Sequence, residues 1–205
     1  MNRVFYRDLI LDVDSNVYEP REDSFLLADN LHFKKGEKVL EIGTGAGLIS
    51  ILAAKFGAKV VAIDINPFAV ECARKNAELN GAKGIDFRVG DLFEPLKASI
   101  TSDVNSTDGR KRKQKEAISS IKKFDLIVFN PPYLPREEKY TEKPIDLSYN
   151  SSEVLQKFLT EYKKFLKKGG RTVIVNSSIS GVEVEGKILA EKKLAFEKLF
   201  VIELK

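Results

Sequence analysis

The chain of 205 residues predicts a single α/β domain built around a parallel sheet. Three observations carry this reading. Short apolar strands alternate with helical stretches between Lys38 and Val175, the pattern of right-handed strand-helix-strand crossovers. The segment Phe124–Phe129 is nearly all apolar, as a strand covered on both faces must be. A content of 43% apolar and 31% charged residues is that of a soluble globular protein, long enough to bury a core without a disulfide or metal staple.

The elements follow in order. Asp23–Leu31 reads as a short amphipathic helix behind a polar start. Lys38–Ile42 is the first strand, and Gly43-Thr44-Gly45-Ala46-Gly47 leads from it into the apolar helix Leu48–Phe56. Gly57-Ala58 turns the chain into a second strand, Lys59–Ile63, which ends on Asp64. Pro67 suits the first turn of the next helix, and Asn80-Gly81 stops it. Ile85–Val89 is the third strand and Phe124–Phe129 the fourth. Val154, Leu155, Phe158, Leu159, Tyr162 and Leu166 share one side of a helix over Ser151–Leu166. Gly169-Gly170 breaks that helix before a fifth strand, Thr172–Val175. The tail Lys193–Leu204 suits a helix or a tight hairpin, with Leu199–Ile202 favouring a final strand.

Composition narrows the function. One cysteine, Cys72, excludes a disulfide framework and a Cys-rich zinc site within the chain, no metal is expected, and His32 is the lone histidine. Both are read as structural residues. No stretch reaches the roughly 18 apolar residues of a membrane helix, so a cytoplasmic protein is expected. The net charge of +4 invites a nucleic-acid reading, but residues 97–123 alone carry +5 and the remainder carries −1. Ala98–Lys123 has no aromatic residue and contains Arg110-Lys111-Arg112-Lys113-Gln114-Lys115. Such a composition buries too little apolar surface to offset ordering. It predicts a disordered surface loop, or a mobile basic arm that attracts phosphate or an acidic partner.

The chemistry lies at the ends of strands. Gly43, Gly45 and Gly47 stand between a strand and a helix, where backbone can approach a ligand closely. Asp64, about 20 residues beyond the first glycine, can accept both hydroxyls of a ribose. The loop is GxGxG, so it need not cradle a pyrophosphate, and a nucleoside bearing a small zwitterion fits better. Gly90-Asp91-Leu92 follows the third strand and Asn130-Pro131-Pro132-Tyr133 the fourth. Asp91 could accept from an exocyclic amine such as that of adenine. Two prolines fix a rigid turn that holds the Asn130 side chain and the Pro131 carbonyl as neighbouring acceptors, and Tyr133 adds a flat face for stacking. Such a pocket suits an NH₂ conjugated with a carbonyl or ring. Two acceptors on its hydrogens favour the pyramidal, attacking nitrogen over the flat ground state.

These motifs together resemble a class I S-adenosylmethionine-dependent methyltransferase that acts on amide or exocyclic amino nitrogens. Tyr18-Glu19-Pro20-Arg21-Glu22-Asp23-Ser24 is similar to the N-terminal motif of the HemK-like (PrmC-like) protein glutamine methyltransferases, in their short archaeal and eukaryotic branch. The resemblance spans nearly the whole chain apart from 98–123. It implies a Rossmann-like, mostly parallel sheet of order 3-2-1-4-5-7-6 with an antiparallel C-terminal strand, in a single domain. It implies S-adenosyl-L-methionine as cofactor, held by Ser24, Glu41, Gly43, Gly45, Gly47, Asp64, Asp91, Leu92 and Asn130. It places Asn130, Pro131 and Tyr133 in catalysis, with Pro132 and Leu134 beside them on the substrate. It further implies methylation of the glutamine in the Gly-Gly-Gln motif of a class 1 peptide-chain release factor. A small zinc-binding activator subunit would pair beside the third strand.

Two departures from that family pattern stand out. Asp146-Leu147-Ser148-Tyr149-Asn150-Ser151-Ser152 replaces a glycine-rich stretch on the target side. The segment after the fifth strand is short, so the usual last helix is expected to be missing or reduced to a turn. Tyr140, Lys143 and Tyr149 could line the substrate entrance. Two alternatives stay open: an adenine amino-methyltransferase using the basic arm for phosphate contacts, and a non-catalytic cofactor-binding module.

Overall fold

The computed structural model describes residues 2–98, 123–132 and 151–205. A two-stranded hairpin comes first, β1 (Asn2–Tyr6) against β2 (Leu9–Val13). After it come α1 (Glu22–Asp29), β3 (Lys38–Ile42), α2 (Leu48–Lys55), β4 (Lys59–Asp64), α3 (Pro67–Leu79), β5 (Ile85–Val89) and α4 (Glu94–Ala98). The remaining elements are β6 (Phe124–Phe129), α5 (Ser151–Glu161), β7 (Leu166–Ser177), β8 (Gly186–Lys193) and β9 (Lys198–Leu204).

The main sheet has seven strands in the order β5-β4-β3-β6-β7-β9-β8. Five neighbours run parallel from β5 to β7, and β9 runs antiparallel to both β7 and β8. Counted within this sheet, the order is the 3-2-1-4-5-7-6 that the sequence implies, with the last strand reversed. Helices cover both faces of the parallel part, which explains its continuous apolar strands. Along β6 and β7, Leu126, Val128, Val173 and Val175 pack into the core beneath α1, α2 and α3. Their neighbours Ile127, Phe129 and Ile174 pack into the opposite core against α5. That second core is aromatic: Phe93 stacks on Phe165 with centroids 4.5 Å apart, and Phe129 tilts onto Phe158 at 4.7 Å.

Several boundaries differ from the sequence reading. The helix expected over Ser151–Leu166 ends at Glu161, and a single 3-10 turn, Tyr162–Lys164, closes it. Leu166 belongs to β7, paired with Phe124, so its apolar side chain serves the sheet and the same core. β7 therefore starts ahead of Gly169-Gly170 and carries an irregularity there. A Cβ on Gly170 would lie 3.0 Å from the Asp125 carbonyl oxygen, so only glycine lets the two strands approach. The tail is a hairpin of β8 and β9, and no helix separates β7 from it. The N-terminal hairpin is a further addition. Among the described residues no helix is long and apolar enough to cross a membrane.

Candidate active site

The carboxyl ends of β3, β4, β5 and β6 meet on one side of the sheet, where open α/β sheets place ligands. The Gly43–Gly47 loop leaves β3 here. Gly47 has φ +91, and its missing Cβ would stand 3.0 Å from that of Ala73 on α3. Gly45, at φ +54, has nothing within 4 Å of its Cβ position among the described residues. One glycine thus serves packing and the other leaves backbone bare. The loop is tied across to β4: Gly45 N–H donates to Asp64 Oδ2 at 2.9 Å, while Asp64 Oδ1 accepts from Asn66 N–H at 2.9 Å. Gly90 N–H donates to the Asp64 carbonyl at 2.9 Å, bringing the turn after β5 alongside. Leu92 in that turn is buried and has φ +47, a strained conformation for a branched residue.

Electrostatics mark two carboxyl groups. Burial pushes the Glu41 carboxyl up to about 8, against the hydroxyls of Thr44 and Ser50, with the Asp64 charge adding to the rise. Thr44 Oγ1 donates to Glu41 Oε2 at 2.7 Å. Burial also raises Asp64, opposed by backbone N–H groups of Asn66, Gly45 and Ile65. Three backbone N–H groups still leave the Asp64 carboxylate a lone pair for a hydroxyl donor.

Asn130 ends β6 and meets α1. Its Nδ2 donates to Asp23 Oδ2 at 3.0 Å and to Ser24 Oγ at 3.3 Å. Its Oδ1 is buried and has no hydrogen-bond partner among the described residues. A Cβ at Gly43 would come within 3.7 Å of the Asn130 carbonyl oxygen, so the glycine loop and the Asn130 turn touch. Pro131 is buried and Pro132 exposed.

The structure thus brings Ser24, Glu41, Gly43, Gly45, Gly47, Asp64 and Asn130 into one connected cluster. Asp91 follows β5 and makes an ion pair, its Oδ2 accepting from Lys157 Nζ of α5 at 2.5 Å. Tyr133, Leu134, Tyr140, Lys143, Tyr149 and nearly all of 98–123 lie outside the described residues. His32 is exposed, and its carbonyl accepts from Arg171. Cys72 is buried and its Sγ donates to the Asp12 carbonyl at 3.2 Å, a packing role. Asp23 and Lys157 were not among the sequence candidates. Asp23 lies inside the Tyr18–Ser24 motif, but the motif does not distinguish it from Glu22.

A sheet of this order with a glycine loop after its first strand is the class I S-adenosylmethionine-dependent methyltransferase fold. The lining fits the small zwitterionic nucleoside of that class, with bare backbone at Gly45 and a hydroxyl acceptor at Asp64, and the buried Asn130 acceptor stands beside it. Residues 33–199 match the methyltransferase domain family. The chain is 40% identical to the "Putative protein N5-glutamine methyltransferase MJ0928" of Methanocaldococcus jannaschii, over 94% of this chain and 93% of that one. It is 34% identical to the release factor glutamine methyltransferase of Lactococcus lactis, over 66% of this chain and 43% of that one. Among solved structures, the T. thermophilus 16S rRNA N2 G1207 methyltransferase, in complex with AdoMet and guanosine, aligns with TM-score 0.60 and 21% identity. That alignment covers 91% of this chain and 44% of that one. The chain belongs to the methyltransferase domain family and, within it, to the family of its archaeal relative.

Proposed function

We propose that this protein transfers a methyl group from S-adenosyl-L-methionine to the side-chain amide nitrogen of a protein glutamine, in the Gly-Gly-Gln motif of a class 1 release factor. The observation that carries it is the buried, unpaired Asn130 Oδ1 at the end of β6. Beside it the Pro131 carbonyl offers a second acceptor on a rigid turn. The names of the relatives at 40% and 34% identity support glutamine as the acceptor.

When bound, S-adenosyl-L-methionine supplies an electrophilic methyl group on a positively charged sulfur. The protein's own task is to hold the nucleoside and prepare the nitrogen. Asp64 accepts from the ribose hydroxyls, and the Gly45 backbone lets the ligand lie against the loop. Ser24, Glu41, Gly43, Gly47, Asp91 and Leu92 complete that side, with Tyr133, Pro132 and Leu134 flanking the target. Asn130 Oδ1 and the Pro131 carbonyl each accept one hydrogen of the target NH₂, which draws its lone pair out of conjugation with the carbonyl. No strong base is needed, because the nitrogen proton becomes acidic only as the new bond forms. β5 is the edge strand of the sheet among the described residues, and its Val89, 52% exposed, supports a partner subunit of the small zinc-binding kind.

A tritiated-methyl assay tests this. It offers a release factor, its Gly-Gly-Ala variant, DNA and RNA, each with and without the partner subunit. Label is expected in the Gly-Gly-Gln protein alone, and Asn130→Ala is expected to abolish it while cofactor binding remains measurable by calorimetry. Label in DNA or RNA establishes the adenine reading instead, and absence of label from every acceptor establishes a binding module.

A further inference from the structure

We infer that Asp23 is a positioning residue whose carboxylate fixes which end of the Asn130 amide faces the target nitrogen. The inference rests on the reading of Asn130 as the acceptor of the target NH₂. An asparagine presents two chemically opposite ends, a carbonyl that accepts and an NH₂ that donates, and rotation about its last bond exchanges them. Only the carbonyl end can take a hydrogen from the substrate. A flipped Asn130 would point its own hydrogens at the target and repel it.

The geometry around α1 removes that ambiguity. Asp23 is 3% exposed, and its Oδ2 accepts from Asn130 Nδ2 at 3.0 Å. A flip would set the Asn130 carbonyl oxygen against a carboxylate oxygen at that distance, acceptor against acceptor. Ser24 supports the same orientation. Its Oγ donates to Asp23 Oδ1 at 3.2 Å, so toward Asn130 it acts as the acceptor, at 3.3 Å. Asp23 is itself held by the Ser24 N–H at 2.7 Å and by the Tyr18 hydroxyl at 3.3 Å. The side-chain donors of Tyr18, Ser24 and Asn130 are all used, and the side-chain atom left without a partner among the described residues is Asn130 Oδ1. A buried acceptor without a partner is costly, so its retention beside the glycine loop marks a place that a ligand donor fills.

The test exchanges the two side chains. In Asp23→Asn the amide at 130 loses its unambiguous partner, and kcat is expected to fall about 10- to 100-fold with cofactor affinity changed less than about threefold. Asn130→Asp, which faces one carboxylate with another, is expected to fall further. In the double variant Asp23→Asn/Asn130→Asp, the amide at 23 donates to one oxygen of the new carboxylate and leaves the other free. That variant is expected to regain at least about tenfold over Asn130→Asp alone. A merely structural role for Asp23 predicts the opposite, a double variant no better than either single one. An unchanged kcat in Asp23→Asn, or no recovery on exchange, overturns the inference. Wild-type protein without substrate gives an independent reading: one Asn130 side-chain N–H proton should exchange slowly in ¹H–¹⁵N spectra and exchange fast in Asp23→Asn. Fast exchange in the wild type also overturns it. If that proton is protected but no glutamine is methylated, the acceptor assignment fails and the Asp23–Asn130 arrangement stands.

Discussion

Asn76 on α3 holds Asp12 of β2 through both ends of its side-chain amide. Asn76 Oδ1 accepts from Asp12 N–H at 2.9 Å, and Nδ2 donates to the Asp12 carbonyl at 3.1 Å. The pairing copies the ladder of a neighbouring strand, and Asn80 repeats it one helical turn on, with Ile10 at 3.0 and 2.7 Å. Asn76 Nδ2 also donates to the Ala46 carbonyl inside the glycine loop, at 2.9 Å. One buried amide therefore joins the N-terminal hairpin to the loop that would receive the cofactor. Asn76→Ala leaves the Asp12 N–H and the Ala46 carbonyl without this partner, and the Asp12 carbonyl with only the weak Cys72 Sγ donor, and should destabilise the fold by about 2–4 kcal/mol. Urea unfolding checks this; a change below about 1 kcal/mol would show that water replaces the amide.

The glycine loop should separate packing from binding. Gly47→Ala forces a Cβ to 3.0 Å from Ala73 Cβ and 3.1 Å from Ala73 Cα, at φ +91. It should lose about 1–3 kcal/mol of stability. Gly45→Ala meets no atom of the described residues within 4 Å, so its stability loss should be limited to about 1–2 kcal/mol of backbone strain. Its methyl group would project into ligand space, and cofactor affinity should fall at least about tenfold, or about 1.4 kcal/mol. Melting curves and calorimetry on the two variants, taken together, should show this opposite ranking.

Most of the site is legible in the sequence because each piece sits at the end of an apolar strand, where local pattern and ligand position coincide. Gly43–Gly47 after Ile42, Asp64 after Ile63 and Asn130 after Phe129 all follow this rule. The N-terminal hairpin escapes it. Its turn, Arg7-Asp8, has no glycine or asparagine, yet Arg7 takes φ +51, a conformation usually signalled by those residues. β8 escapes for another reason: four of its eight residues are charged, which guards an edge strand against association but hides it from an apolar pattern. The partnership of Asp23 with Asn130 spans 107 positions, and only the folded chain reveals it.

The Lys157–Asp91 pair bears on the adenine contact proposed for Asp91. Lys157 Nζ lies 2.5 Å from Asp91 Oδ2, with the two side chains 44% and 33% exposed. Solvent at that exposure limits the pair to about 1 kcal/mol, or about fivefold in an equilibrium. Lys157→Met should therefore raise the cofactor KM by at most about fivefold and leave kcat unchanged. The effect should shrink at high salt. A salt-independent loss of kcat would place Lys157 in the reaction itself.

Glu41 should write a pH dependence into the stability of the protein. Its carboxyl is pushed from about 4.5 up to about 8, first by burial. Between those values the folded chain holds a proton that the unfolded chain releases, so stability falls as pH rises through the window. The slope for this one group is about 1.4 kcal/mol per pH unit, and it vanishes below about 4.5 and above about 8. Glu41→Gln keeps a hydrogen-bonding amide facing Thr44 and Ser50 but cannot ionise. The variant should gain on the wild type steadily from pH 5 to pH 8, and the difference should then level off. Urea midpoints measured across that range give the comparison directly. Parallel curves for the two proteins would mean that Glu41 stays ionised in its buried place, with the Thr44 and Ser50 hydroxyls outweighing the loss of water.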